Sequence, residues 1–174
     1  NIGFGAYTPD FSFFMDGGKY SVAESKESAI STIQGAADMV KGYEADFIFF
    51  QEVDLDATRS YHVNQYDMLA EAFPNYASNY AINYDSAFLF YPFHEPHGKS
   101  KASLVTFSAY EMTDALRRSL PISTSLSKFF DLDRCYSITR IPVENGKELC
   151  LYNVHLSAYG NSDEIRAGQV GMLC

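Results

Sequence analysis

Three short stretches combine residue types that can do metal or phosphate chemistry. In Asp46-Phe47-Ile48-Phe49-Phe50-Gln51-Glu52-Val53 a continuous apolar and aromatic run ends on an amide and a carboxylate. A carboxylate placed directly after such a run is costly to bury unless it is ion-paired, hydrogen-bonded or bound to a cation. A hard cation such as Mg2+ takes oxygen ligands and commonly binds through one or two carboxylates plus phosphate oxygens. The plain alternative is a glutamate that leaves the sheet into solvent. Tyr152-Asn153-Val154-His155-Leu156 sets an amide and an imidazole two positions apart, so both lie on one face of a strand. Leu149 and Leu151 precede them on that face, so polarity begins only at the strand's mouth. A histidine there can donate to a developing oxyanion or act as a general acid. The plain alternative is an Asn and a His that close a turn by hydrogen bonds. Asn1, in the strand-like Asn1-Ile2-Gly3-Phe4, is the third candidate, and alone it carries almost no signal.

The elements that must position these residues can be read from periodicity. After the opening strand a Gly-, Asp- and Phe-rich loop runs from Thr8 to Tyr20. Ser21 with Glu24 three residues on reads as a capping box, and Ile30, Ile33, Ala37 and Val40 repeat at helical spacing up to Gly42. Residues 46–53 have the unbroken apolar pattern of a central strand buried on both faces. A polar stretch spans 54–60. A short helix over His62 to Phe73 ends at Pro74-Asn75, and Tyr76 to Phe90 makes one or two strands. Tyr91 to Lys101, with Pro92, Pro96 and Gly98, is a loop, and Leu104 to Phe107 is a strand that Tyr110 to Leu116 continues less clearly. Cys135 to Val143 and Glu148 to Leu156 are strands joined by Asn145-Gly146, the strongest hairpin signal present. Asn161 or Ser162 then caps a helix through Arg166 and Gln169. Hairpin-paired strands with helices between them predict a mixed α/β or α+β fold with two packed sheet layers.

Composition narrows the function classes. The chain has 174 residues, 13 Lys and Arg against 22 Asp and Glu, and a net charge of −9. Apolar residues make up 47% and aromatic residues 16%, which excludes long disorder and fits one domain with a sizeable core. No run of about 18 apolar residues occurs, so no membrane-spanning helix is expected. The acidity argues against tight, nonspecific binding to a phosphate backbone, although a small basic cleft or a bridging cation is compatible with it. Cys135, Cys150 and Cys174 are odd in number and lack C-x-x-C spacing, which argues against zinc, and Cys135 and Cys150 read as buried small hydrophobes. Both ends fall inside elements: Asn1 within a strand and Cys174 within a helix-like pattern. The chain is therefore read as part of a longer protein, whose upstream flank has room for a signal peptide or membrane anchor.

Taken together, the three stretches resemble the motifs of the endonuclease/exonuclease/phosphatase superfamily, the DNase I-like fold. Asn1-Ile2-Gly3-Phe4-Gly5 is similar to its first strand motif, Gln51-Glu52 to the pair that ends its second, and Asn153-Val154-His155-Leu156 to its Asn-x-His-Leu motif. Ser157-Ala158-Tyr159 and Arg166-x-x-Gln169 are similar to the residues the family carries after that motif. The resemblance spans almost the whole chain and about the first two-thirds of a family domain. It implies a two-layer β-sandwich flanked by helices and hydrolysis of a phosphoester dependent on Mg2+ or Mn2+. By position, Glu52 would ligate the metal with Asn1 beside it, and Asn1 would contact metal or phosphate. His155 would stabilise the phosphoryl oxygens or protonate the leaving group, and Asn153 would orient the site. The family's Gly-Asp-x-Asn and Ser-Asp-His motifs, which supply the general base and further phosphate contacts, are absent; Ser162-Asp163-Glu164 is not the latter. They would fall downstream of Cys174, so the fragment alone is expected to be inactive.

The substrate implied is a small phosphodiester or a phospholipid headgroup. A nuclease of the same superfamily and a noncatalytic module that keeps the fold are the rival readings. Long nucleic acid is disfavoured by charge, a membrane surface is compatible, and oligomeric state is not legible. Arg59, with Asn64, comes after the Gln-Glu strand and is the candidate substrate-binding residue, since a guanidinium can clamp a phosphate bidentately; a solvated surface arginine is the alternative. Arg134 could do the same, although a local ion pair within Asp131-Leu132-Asp133-Arg134 is the simpler reading. Asp10 and Asp16 either add to a cation site or form turns. His94 and His97, near Glu95 and Pro96, either form a loop metal site or, as the simpler reading, are exposed loop residues. Phe11, Phe13, Phe14, Tyr91 and Phe93 either line a groove, touch lipid or pack under the loops. No G-x-S-x-G elbow supports a serine hydrolase.

Overall fold

Alternating strands over residues 47–108 build one antiparallel sheet, and the 114–154 region builds a second. The computed structural model describes residues 1–122, 133–158 and 162–173. Its strands are β1 (Phe47–Ala57), β2 (Ala77–Leu89), β3 (Gly98–Ser108), β4 (Asp114–Ser119), β5 (Cys135–Pro142) and β6 (Glu148–Val154). The sheet orders are β1-β3-β2 and β4-β5-β6, with every pairing antiparallel. Helices α1 (Lys26–Lys41), α2 (Gln65–Ala72) and α3 (Ser162–Gly171) complete the described elements. The expected two-layer sandwich flanked by helices is the fold observed. Tyr159, Asn161, Asp131, Leu132 and Cys174 lie outside the described residues.

Several boundaries differ from the periodicity for local reasons. Helix α1 starts after Ser25, whose hydroxyl accepts from Ser28 N, and not at Ser21. Ser21 is fully buried and its N–H and hydroxyl both bind the Glu95 carboxylate (2.9 and 2.8 Å), which leaves it no role as a cap. Tyr61 and His62 have left-handed φ values of 55° and 58°, so α2 begins only after Asn64, whose side chain accepts from Asp67 N. The opening residues are not a strand: Ile2 N donates once to Gln51 O, and Gly3–Gly5 form a 3-10 turn. β1 is not central either. Among the described residues it pairs with β3 on one side, and Phe49 is 37% exposed. The Asn145-Gly146 hairpin forms as expected, with positive φ at both residues.

The two faces of the first sheet differ in character. On the outer face Ile48, Phe50 and Val53 of β1 and Val105 and Phe107 of β3 pack on Ile33 and Ala37 of α1 and Leu69 and Phe73 around α2. The inner face meets the second sheet through a small apolar cluster, Ala81, Leu104 and Cys135, with polar residues around it. Asn79 on β2 donates to the Thr139 hydroxyl on β5 (2.9 Å), and Thr106, Ser137 and Asn153 are buried nearby on the same alternating positions. Cys135 is fully buried, as expected, and burial pushes its thiol pKa up. Among the described residues no helix is long and apolar enough to cross a membrane.

The loops form a third packed region. Phe4 and Phe13 are buried together with Ala6, Ala23 and Ala29, while Phe11 and Phe14 cover them. Of the other loop aromatics, Tyr91 and Phe93 stay exposed at 52% and 85%. His97, expected at the surface, is fully buried against Phe13 and Phe14 and lies within hydrogen-bond reach of Ser21 O and Ser100 Oγ, both at 3.2 Å. Burial, and then the Arg59 charge, lower its pKa from 6.5 to about 3. The folded chain therefore holds His97 neutral where the unfolded chain protonates it. This contribution is complete above pH 6.5 and is lost as pH falls from 6.5 toward 3. Urea denaturation is expected to show stability falling by up to about 1.4 kcal/mol per pH unit from this group below its unfolded pKa. The slope between pH 6.5 and 5 is expected to flatten in His97→Gln; an unchanged slope would show that His97 does not carry it.

Candidate active site

Glu52 sits at a defect that β1 builds into the first sheet. Phe50 pairs with Val105 and Val53 with Ser103, so β1 uses three steps where β3 uses two. The extra residue makes a β-bulge, a device that re-aims a side chain at the cost of ladder pairing. Glu52 takes up the irregularity with a φ of 56°, a conformation costing about 1–2 kcal/mol for a residue with a Cβ.

Asn153, on β6 of the opposite sheet, fills that defect. It is 2% exposed. Its amide nitrogen donates to Val105 O at 2.9 Å and Phe50 O at 3.3 Å, and its oxygen accepts from Gln51 Nε2 at 2.8 Å. One side chain thus satisfies backbone carbonyls at the bulge and holds the neighbour of Glu52.

The other candidates converge on the Glu52 carboxylate. Asn1 Nδ2 donates to Glu52 Oε1 at 3.0 Å, while Asn1 Oδ1 accepts from Gly3 N at 2.9 Å. His155, two positions beyond Asn153, brings Nε2 to 3.5 Å from the same Oε1. On its other side, His155 Nδ1 lies 2.9 Å from Arg134 Nη1 and 3.2 Å from Asn83 Nδ2. Arginine can only donate, so Nδ1 is the accepting nitrogen and the ring N–H is on Nε2, facing Glu52. Glu52, Asn83, Arg59, Arg134 and His155 line one cleft, with Phe13, Met15 and Tyr84 on its apolar side.

Arg59 is not a solvated surface residue. It is 7% exposed and forms a bidentate ion pair with fully buried Asp54, from Nε (3.0 Å) and Nη2 (2.8 Å). Its guanidinium carbon lies 4.0 Å from the centre of the Phe4 ring. Burial works against the charged form, but the charge and hydrogen bonds of Asp54 outweigh it and the pKa is raised. Ser60 Oγ donates to the same carboxylate, Gln65 Oε1 accepts from Asp54 N, and Gln65 Nε2 donates to Phe4 O. This buried network pins the turn that carries Asn1 against the strand that carries Glu52.

The donor set suits a hard cation in part. The Glu52 carboxylate is an oxygen ligand at the cleft mouth, its side chain 25% exposed. Asn1 turns its nitrogen to that carboxylate and its oxygen to Gly3 N, so in this arrangement it holds Glu52, with one of its oxygen's two lone pairs already used. Among the described residues no group of three or more His, Cys, Asp or Glu is placed to hold a metal ion. One carboxylate completed by waters and substrate phosphate oxygens is within the usual repertoire of Mg2+.

The structure thus brings together Asn1, Glu52, Asn153 and His155, with Arg59 lining the same cleft behind its ion pair. Sequence reasoning misses Asn83, although Asn79, Ala81 and Asn83 alternate at period two and so mark an inner, partly polar face of β2. Arg134, for which the sequence offers a local ion pair, is 6% exposed and reaches His155. Asp10, Asp16 and His94 are not among the residues lining this cleft.

No family model matches the chain, and no curated protein matches it by sequence. Solved structures match its fold. An endonuclease/exonuclease/phosphatase from Beutenbergia cavernae superposes with a TM-score of 0.62 at 18% identity, covering 81% of this chain and 37% of that one. ANGEL2, a 2',3'-cyclic phosphatase, gives 0.55 at 17% identity, covering 80% and 35%. The human Nocturnin catalytic domain gives 0.55 at 15% identity, covering 87% and 50%. The chain has the fold these structures share and spans about a third to a half of their lengths.

The bulge predicts a specific stability cost. Replacing Asn153 by Leu strips the partners from two buried carbonyls and from Gln51, and is expected to destabilise the chain by about 2–4 kcal/mol in urea denaturation. Arg59→Ala leaves Asp54 buried and unpaired and is expected to cost about 3–5 kcal/mol. A change under about 1 kcal/mol in either variant would contradict the role given to its hydrogen bonds.

Proposed function

Starting from the fold shared with endonuclease/exonuclease/phosphatase structures, we propose that the chain carries part of a divalent-metal-dependent phosphoesterase site. The observation that carries this reading is the convergence of Asn1, Glu52 and His155, with Glu52 held at positive φ in a bulge that Asn153 fills. Strained backbone of this kind gathers where a side chain must be aimed for function.

In this proposal Glu52 supplies a carboxylate oxygen to Mg2+ or Mn2+, and Asn1 holds that carboxylate in place. When bound, the cation withdraws charge from the phosphoryl group and lowers the pKa of coordinated water. His155, with its N–H on Nε2, donates a hydrogen bond to a phosphoryl oxygen or to the leaving-group oxygen and so stabilises the charge that develops there. Asn153 orients the site from below by fixing the bulge. Arg59 frames the cleft, its charge balanced by Asp54.

A small phosphodiester or phospholipid headgroup is the substrate class that suits the surface best. The net charge of −9 disfavours the long basic track that nucleic acid needs. ANGEL2, which shares the fold, is named as a 2',3'-cyclic phosphatase. Phe90 and Phe93, 70% and 85% exposed, are compatible with a lipid surface.

The test is hydrolysis of bis(p-nitrophenyl) phosphate by a longer protein that carries the chain, with Mg2+, with Mn2+ and with EDTA. Turnover is expected only with metal, and Glu52→Gln is expected to lower it by at least about a hundredfold. Turnover that survives both EDTA and Glu52→Ala would sink the metal role. Metal and phosphate binding without turnover in the longer protein would favour a noncatalytic module instead, and preference for long DNA would favour a nuclease.

A further inference from the structure

Away from the candidate active site, the loops surround a second cavity of about 420 Å3 that shares no lining residue with it. That volume lies in the range of small-ligand pockets. Asp10, Phe11 and Tyr20 come from the first loop, Glu24 from the segment before α1, Tyr61 from the turn after β1, and Glu95 from the loop before β3. The loops are tied together by their backbones: Ala23 N donates to Arg59 O at 2.8 Å and Tyr20 N to Ser12 O at 2.9 Å. A ligand therefore meets walls that are already ordered.

The cavity has an acidic side. Asp10, Glu24 and Glu95 line it, with no Lys, Arg or His among the described lining residues. Like charges gathered in one cavity disfavour one another, and a cation between them relieves the repulsion. Glu95 is pre-positioned, because its Oε2 accepts from Ser21 N at 2.9 Å and from Ser21 Oγ at 2.8 Å. Among the described residues no three such groups are placed to hold one metal ion, so these carboxylates surround a wider space than a bare ion fills.

The aromatic side is an independent observation. Phe13, Phe11 and Tyr20 form a stack, with successive ring centroids 6.4 and 5.8 Å apart and inclinations of 19° and 22°. Tyr20 is the outer ring of that stack and is 46% exposed. Tyr61 is fixed by its hydroxyl, which donates to Ala23 O at 3.0 Å. Ring faces attract cations, and aromatic sites of this kind recognise quaternary ammonium groups, whose charge is carried under an apolar skin. Such an ion satisfies both sides of the cavity. A hydrated metal ion satisfies only the carboxylates, and a neutral apolar molecule only the rings.

We infer that this cavity binds a small substituted-ammonium ion, with Tyr20 and Tyr61 against its alkyl groups and Asp10, Glu24 and Glu95 around its charge. This binding is separate from the phosphoester reading and does not depend on it.

Ligand-observed NMR titration of the full chain tests the inference, with choline as the probe and 3,3-dimethylbutan-1-ol, its uncharged isostere, as the control. Choline is expected to bind at least about tenfold more tightly than the isostere. Tyr20→Leu removes the outer ring and Glu24→Gln one charge, and each is expected to weaken choline by about threefold. Glu24→Gln is expected to leave the isostere's affinity unchanged. Far-UV circular dichroism checks that the variants are folded, and the comparison of choline with its isostere needs no variant. No binding of choline, equal binding of choline and the isostere, or choline affinity unchanged in both folded variants would overturn the inference and leave the phosphoesterase reading standing.

Discussion

The arrangement depends on one amide that crosses between two sheets. Asn153 belongs to β6, yet its hydrogen bonds are made to Phe50, Gln51 and Val105 in the other sheet. A bulge leaves backbone groups without ladder partners, and in a protein interior such groups must find other ones. Because Asn153 provides them, the bulge is tolerated and Glu52 keeps its unusual backbone angle. The same strand then delivers His155 two residues later, so the brace and the imidazole arrive at fixed spacing. The polar contact that stabilises the defect also sets the distance between its two chemically active neighbours.

The same dependence accounts for the uneven character of the sandwich. The outer face of the first sheet is conventionally apolar, closed by α1 and α2. The inner face is lined by Asn79, Asn83, Thr106, Ser137 and Asn153, with only a small apolar cluster among them. Buried polar groups contribute little net stability, but each demands a particular partner. Such a face fixes how one sheet is placed over the other, and the cleft lies at the open end of that interface. Stability is left mainly to the helix-covered side, and alignment to the polar one.

The parts of the site legible in the sequence are those whose polarity breaks a local pattern. Gln51-Glu52 ends an aromatic run and Asn153-x-His155 ends an apolar alternation, so each stands out within a few residues. Asn83, Arg134 and the Asp54–Arg59 pair do not, for different reasons. Asn83 lies 72 positions from the histidine it approaches, and only sheet pairing brings them together. Arg134 comes after an acidic run that offers a nearer partner. Asp54 and Arg59 are five residues apart in a stretch that reads as solvated, and their burial becomes evident only with Phe4 and Gln65 packed around them. His97 is misjudged for a similar reason: a Pro- and Gly-containing segment signals a loop, but not whether aromatic residues from another loop will cover it.

The bulge also has a meaning in counting. Phe50 and Val53 both face the helices although three positions separate them, and their partners Val105 and Ser103 are two apart on one face. A chain shorter by one residue at this point would place the same two side chains on the same face with an ordinary pleat and an unbroken ladder. The core therefore has no use for the additional residue. What it supplies is a side chain turned out of the strand's alternation at the cleft, so the difference between a plain structural sheet and one equipped for chemistry is a single inserted position.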